Sequence, residues 1–146
     1  MALESGDSGH LFPICQGGKY GFIDARGRIR VQPQFEGAMT FTEGLAGFVA
    51  DGKWGYIDSV GKVAIEPAFD SCRAFSDGLA IITVKDKSGF IDRTGRVRIE
   101  PRYYRCDSFE DGLARVQESM TSREVFIDQT GAVVFGPARV LSLPQL

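Results

Sequence analysis

The sequence predicts an all-β fold of tandem units, and three observations carry that reading. A short motif returns at a fixed period. Each copy alternates short apolar runs with glycine-rich turn signals. No stretch holds a helix-like apolar period of adequate length. Gly21-Phe22-Ile23-Asp24 recurs as Gly55-Tyr56-Ile57-Asp58 and as Gly89-Phe90-Ile91-Asp92, each step being 34 positions. A damaged copy, Val125-Phe126-Ile127-Asp128, follows 36 positions later. Self-similarity of this length is the mark of a repeat array and argues against a single-site enzyme.

The second copy shows the elements in order. Leu45-Ala46-Gly47-Phe48-Val49-Ala50 is short and apolar and ends at Asp51-Gly52, a strand followed by a hairpin signal. Lys53-Trp54-Gly55-Tyr56-Ile57-Asp58 is the next strand, rich in aromatic and β-branched residues. Asp58-Ser59-Val60-Gly61 is a turn: the carboxylate accepts a nearby backbone N–H, and glycine supplies positive φ. Lys62-Val63-Ala64-Ile65-Glu66 is the third strand, with Val63 and Ile65 expected on one face. Pro67 is expected to end it, having no N–H for a ladder bond. Phe69 and Phe75 are expected to plug the core from the following loop, which has room for one short helical turn. Asp77-Gly78 turns into the next unit.

The landmarks recur. Asp-x-x-Gly turns begin at Asp24, Asp58, Asp92 and Asp128, and prolines stand at Pro33, Pro67, Pro101 and Pro137. Phe-x-x-Gly-Leu-Ala runs begin at Phe41, Phe75 and Phe109. The expectation is a disordered leader over 1–10 and one domain over 11–146, with three-stranded antiparallel meanders at 11–44, 45–78, 79–112 and 113–146. The last unit is degenerate and caps the array. Open stacking into a curved or superhelical array is the expected arrangement, and a small closed β-propeller is the alternative; the unit is lean for a propeller blade, which usually has four strands.

Bulk properties narrow the function classes. The 146 residues are 43% hydrophobic and 25% charged, an ordinary globular composition. A net charge of −2 argues against a general nucleic-acid or anionic-membrane binder. No apolar run approaches the ~20 residues of a membrane span. The three cysteines, Cys15, Cys72 and Cys106, form neither a disulfide framework nor a zinc pattern. With no secretory signal in the first ten residues, they point to a cytoplasmic setting. Cys72 and Cys106 sit at equivalent positions, which reads as a small buried side chain in the stacking interface; a redox pair is the sharper alternative.

The residues spell no catalytic constellation. The only histidine, His10, stands in the leader. Gly17-Gly18-Lys19 reads as a hairpin pair, not a phosphate loop. One aspartate per turn is too few for calcium, which takes 6–8 oxygens. Glu66 and Glu100, or Glu43, Asp77 and Asp111, form repeated acid rows that read as solvated residues. No cofactor is expected. The third strands carry a basic row, Arg28, Arg30, Lys62, Arg96 and Arg98, with Arg102, Tyr104 and Arg105 nearby in sequence. These eight residues are the candidate binding surface, to contact an acidic partner or to grip carboxylates or phosphates with guanidinium forks. The competing reading is a solubilising outer face that protects strand edges.

Lys53-Trp54-Gly55-Tyr56-Ile57-Asp58, then Gly61-Lys62, Ile65-x-Pro67-x-Phe69-Asp70 and Phe75-x-x-Gly78-Leu79-Ala80, resemble the bacterial WG (or KWG) repeat. The tryptophan is replaced by Tyr20, Ser88 and Glu124 in the other copies. The resemblance implies an all-β repeat with no catalytic motif to carry over, and a role in binding. The expected function is a non-catalytic scaffold for a protein partner. The alternative is carbohydrate or cell-wall binding or processing, and exposed sheet edges offer a route to self-association.

Overall fold

The computed structural model describes residues 10–136. Pro137 and residues 1–9 of the expected leader lie outside them; His10 is exposed and stacks edge-on against Phe12. Among the described residues there are strands, turns and bends and no helix. The first sheet is a meander of β1 (Phe12–Gln16), β2 (Lys19–Ile23) and β3 (Ile29–Phe35). The second runs β4 (Gly37–Ala38), β5 (Leu45–Ala50), β6 (Lys53–Asp58) and β7 (Val63–Phe69). β8 (Ser71–Cys72) follows in the linker. The third meander is β9 (Leu79–Val84), β10 (Lys87–Asp92) and β11 (Val97–Tyr103). The fourth sheet is β12 (Arg105–Cys106), β13 (Leu113–Gln117), β14 (Val125–Asp128) and β15 (Val133–Phe135). Paired strands are antiparallel throughout, and no sheet closes on itself.

The tandem β-meander units stand as expected, with one addition and two changes. First, the three-stranded meander gains a short edge strand. In the second and fourth sheets the preceding linker lays two residues along the first long strand, as in Gly37↔Val49 and Arg105↔Gln117. The flanking amides complete the edge: Met39 donates to the Gly47 carbonyl and Asp107 to that of Arg115, both at 2.9 Å. Each such sheet therefore borrows a strand from the preceding 34-residue copy. Second, proline does not end the third strand, because β7 continues through Pro67 to Phe69. The register slips between Trp54↔Phe69 and Tyr56↔Ile65, so the proline falls in a bulge where no ladder amide is required. Third, Val63 and Ile65 do not share a face. A second slip pairs them with the adjacent residues Ile57 and Tyr56, which point to opposite sides. Ile65 is buried and Val63 is exposed, and the same contrast separates Val31 from Ile29 and Ile99 from Val97.

The bulge explains the glycine of the repeated motif. A Cβ on Gly55 would stand 2.5 Å from the Ile65 carbonyl oxygen and 2.6 Å from the Pro67 nitrogen. These are backbone atoms that cannot step aside, and the same collision exists at Gly21 and Gly89. The fourth copy inverts the arrangement. Val125 replaces the glycine, and Gly136 now stands where Glu66 and Glu100 stand in their copies. A Cβ on Gly136 would lie 2.4 Å from a Val125 methyl. One side chain fits between the two strands, and either strand can supply it.

The chain divides into two compact units, Met1–Ala74 and Phe75–Leu146, each holding two copies. In the first unit the core packs Leu11, Phe22 and Val31 of the first copy against Ala46, Phe48 and Ile57 of the second, with Phe41 edge-on to Phe22. The Gly61 turn sits on Val31, where an added Cβ would be 2.8 Å from a methyl. In the second unit Leu79, Ile81, Phe90 and Ile99 pack against Ala114, Val116 and Ile127, with Phe109 edge-on to Phe90. Phe75 is buried as expected, whereas Phe69 belongs to β7 and not to a loop. Cys72 and Cys106 are buried, Cys106 within the core of its unit.

Candidate binding surface

The acidic turns are built from one side chain used twice. Asp58 Oδ1 accepts the amides of Val60 at 3.0 Å and Lys62 at 2.9 Å. Asp24, Asp92 and Asp128 repeat both bonds. Asp92 and Asp128 also accept a threonine hydroxyl, from Thr94 and Thr130, which holds both carboxyls below the usual range. At Asp24, burial pushes the carboxyl up. The amides of Arg28 and Arg26 and the Arg28 guanidinium outweigh that and hold it at about 2. These aspartates are spent on turn formation.

That chemistry also disposes of part of the basic row. Arg28 Nε donates to Asp24 Oδ2 at 2.9 Å, and Arg30 lies 3.4 Å from the same oxygen. Arg98 stands 3.6 Å from Asp92. Lys62 and Arg96 are exposed, and each gives its backbone amide to the turn aspartate. All five therefore lie at or beside the Asp-x-x-Gly turns. Arg28, Arg30 and Lys62 belong to the first compact unit, and Arg96 and Arg98 to the second.

Arg102, Tyr104 and Arg105 form a different group. They lie at the far end of β11 and the start of β12. Arg96, just before β11, and Arg102 within it are six positions apart, roughly 20 Å at the usual rise. Within the second unit, Arg102, Tyr104 and Arg105 therefore stand at the opposite strand end from Arg96 and Arg98. Arg102 Nη2 donates to the Tyr103 hydroxyl at 2.8 Å, and its guanidinium lies 5.0 Å from the Tyr103 ring centroid. The Tyr103 hydroxyl holds that guanidinium's pKa above the usual value, and the nearby Glu118 adds to the effect. Tyr104, 46% exposed, gives its amide to the Gln117 carbonyl at 2.8 Å. Arg105 is exposed opposite Gln117.

Residues that the sequence reading passed over complete this end. Ser88 pairs with Tyr103 on one side and Thr83 on the other, and the Thr83 and Ser88 hydroxyls are 3.0 Å apart. The same level of the second sheet is Val49, Trp54 and Phe69. An apolar row has thus become a row of hydroxyls. In the second copy Lys53 pairs with Asp70 at 2.6 Å; in the third, Tyr104 stands where Asp70 stood, and Lys87 loses that carboxylate. The Lys85-Asp86 turn holds two non-glycine residues at positive φ, 50° and 67°, where the equivalent turn uses Asp51-Gly52. The two-residue insertion of the fourth copy forms the neighbouring loop, closed by Gln117 Nε2 donating to the Ser122 carbonyl at 2.8 Å. Several departures from the repeat pattern therefore meet at this end of the second unit, and that clustering is the signal the sequence offers. The end carries Lys85, Lys87, Arg102 and Arg105 against Asp86 and Glu118, on a chain whose net charge is −2.

The family model for the WG containing repeat matches residues 20–54, 54–87 and 89–119. Neither a curated protein nor a solved structure matches the chain. The three matches open at Tyr20, Trp54 and Gly89, on the strands that carry the space-limited glycines. Spanning more than half of the chain, they place it in the WG-repeat family.

Proposed function

We propose that the chain is a non-catalytic binding module that takes an acidic segment of a protein partner at the cationic, aromatic end of its Phe75–Leu146 unit. The observation that carries the reading is the clustering of departures there. Ser88, Tyr104, the Lys85-Asp86 turn and the loop after Gln117 all break the repeat pattern within one neighbourhood. Repeat proteins hold their backbone constant and vary such positions to bind. The chemistry suits carboxylates: Arg102 is pre-oriented by Tyr103, while Lys87 and Arg105 face solvent beside an exposed tyrosine. The repeated aspartates offer little for catalysis, since turn amides already hold them.

A displayed random-peptide selection tests this. The expected outcome is enrichment of peptides in which Asp and Glu flank an apolar anchor. Their binding should fall at least tenfold in Arg102→Ser/Arg105→Ser and hold within twofold in Arg96→Ser/Arg98→Ser. Selected peptides without acidic bias, or equal losses in the two variants, would sink the proposal.

A further inference from the structure

Each compact unit contains one sheet-on-sheet interface, and the two interfaces are equivalent position by position. One sheet presents Leu11, Phe22 and Val31, or Leu79, Phe90 and Ile99; all six are buried. The next sheet covers them with Ala46, Phe48 and Ile57, or Ala114, Val116 and Ile127, also buried. The fourth sheet repeats the first kind of face as Leu113, Phe126 and Phe135. Here Leu113 is 41% exposed, Phe135 is 70% exposed and Phe126 is half-buried. The first sheet repeats the second kind of face as Phe12, Ile14 and Ile23. Phe12 is 41% exposed, and Ile14 and Ile23 are half-buried. Among the described residues the protein thus shows both halves of its own packing interface, uncovered.

The uncovered face of the fourth sheet is shaped to receive a side chain. Leu113, Arg115 and Phe126 line an open depression of about 520 Å³ with an acidic rim of Asp107, Glu110 and Asp111. Arg115 replaces the buried Ile81 of the third sheet and is held by Asp107 at 2.8 Å and Glu124 at 3.7 Å. On the complementary face the 41% exposed Phe12 replaces the alanines found at Ala46 and Ala114, a ring where the internal interfaces hold a methyl group. The rim has an internal precedent. Gly112 donates its amide to Asp77 Oδ2 at 2.7 Å across the existing interface. One repeat further on, Asp111 takes the place of Asp77, and His10 that of Gly112.

We infer that the chain associates head to tail, the fourth sheet of one copy receiving the first sheet of a second copy in continuation of its internal sheet packing. The contact is heterologous, joining two different faces, so each added copy leaves one face of each kind uncovered. It uses neither Arg102 nor Tyr104, although Arg105, opposite Gln117, belongs to the same fourth sheet.

Sedimentation equilibrium of the full chain tests the inference. The wild type should show an average mass that climbs above 16.0 kDa with concentration, without levelling at the dimer. Phe135→Asp on the fourth sheet and Phe12→Asp on the first should each stay monomeric, with circular dichroism and melting unchanged. Leu113→Lys and Ile14→Gln serve as second variants should either misfold. Mixed one to one, Phe135→Asp and Phe12→Asp retain one good face each, and the mixture should reach twice the monomer mass and stop. A wild type that remains monomeric to about 1 mM, the range of a weak contact, would overturn the inference. So would variants that associate as the wild type does, or a mixture that stays monomeric.

Discussion

Replacing Gly55 by alanine adds a single methyl group, and the structure states what it meets. The new Cβ would lie 2.5 Å from the Ile65 oxygen, 2.6 Å from the Pro67 nitrogen and 2.9 Å from the Glu66 carbonyl carbon. Ordinary contact needs more than 3.4 Å, so β7 must move outward by most of an ångström. That motion strains the bulge and lifts Ile65 and Phe69 off the sheet. Overpacking of this kind costs about 3 kcal/mol, the upper part of the usual range because backbone must shift. Urea unfolding followed by the fluorescence of Trp54, the only tryptophan and the neighbour of Gly55, reads the loss directly. The fourth copy supplies the rescue, since there Val125 faces Gly136. Gly55→Val combined with Glu66→Gly should recover at least ~1 kcal/mol over the sum of the single changes. A cost below ~0.5 kcal/mol for Gly55→Ala, the size of an ordinary surface substitution, would refute the argument.

Two further outcomes follow from the turns. Asp86→Gly relieves a side chain held at φ 67° and should stabilise the protein by about 1 kcal/mol; a neutral or negative change in the unfolding free energy contradicts this. Asp24 has a folded pKa of about 2 against an ordinary 3.8, so its contribution is full above pH 4 and is lost as pH falls toward 2. Asp24→Asn should therefore be less stable near neutral pH and lose less stability than the wild type between pH 6 and pH 2.5. Equal losses over that interval would show that Asp24 is not part of the acid response.

Much of the repeat is legible in the sequence alone. β5, β6 and the Asp58 turn were readable because strand composition and turn chemistry are local, and the structure places each of them as read. The two-residue strands β4, β8 and β12 are not, because two residues have no period, and the cysteine shared by Ser71-Cys72 and Arg105-Cys106 is absent from Gly37-Ala38. Pro67 was misread as a strand end because a missing N–H is costly only where a ladder bond is due, and the bulge removes that demand. The same bulge set Val63 and Ile65 on opposite faces, which no period-2 pattern reveals. The basic row was visible as a list and invisible as geometry. Arg28, Arg30 and Arg98 lean on the turn aspartates, while Arg102, Tyr104 and Arg105 gather at the other strand end. Telling the two groups apart required β11 to run unbroken past Pro101.

The proposed recognition lies at the Tyr104 end and not along the basic row. A photo-reactive amino acid at position 104, and in a second protein at position 30, tests it against the peptides selected by the wild type. The expected result is crosslinks from position 104 that an excess of free peptide competes away, and none above background from position 30. Crosslinks from position 30 with none from position 104 would contradict it.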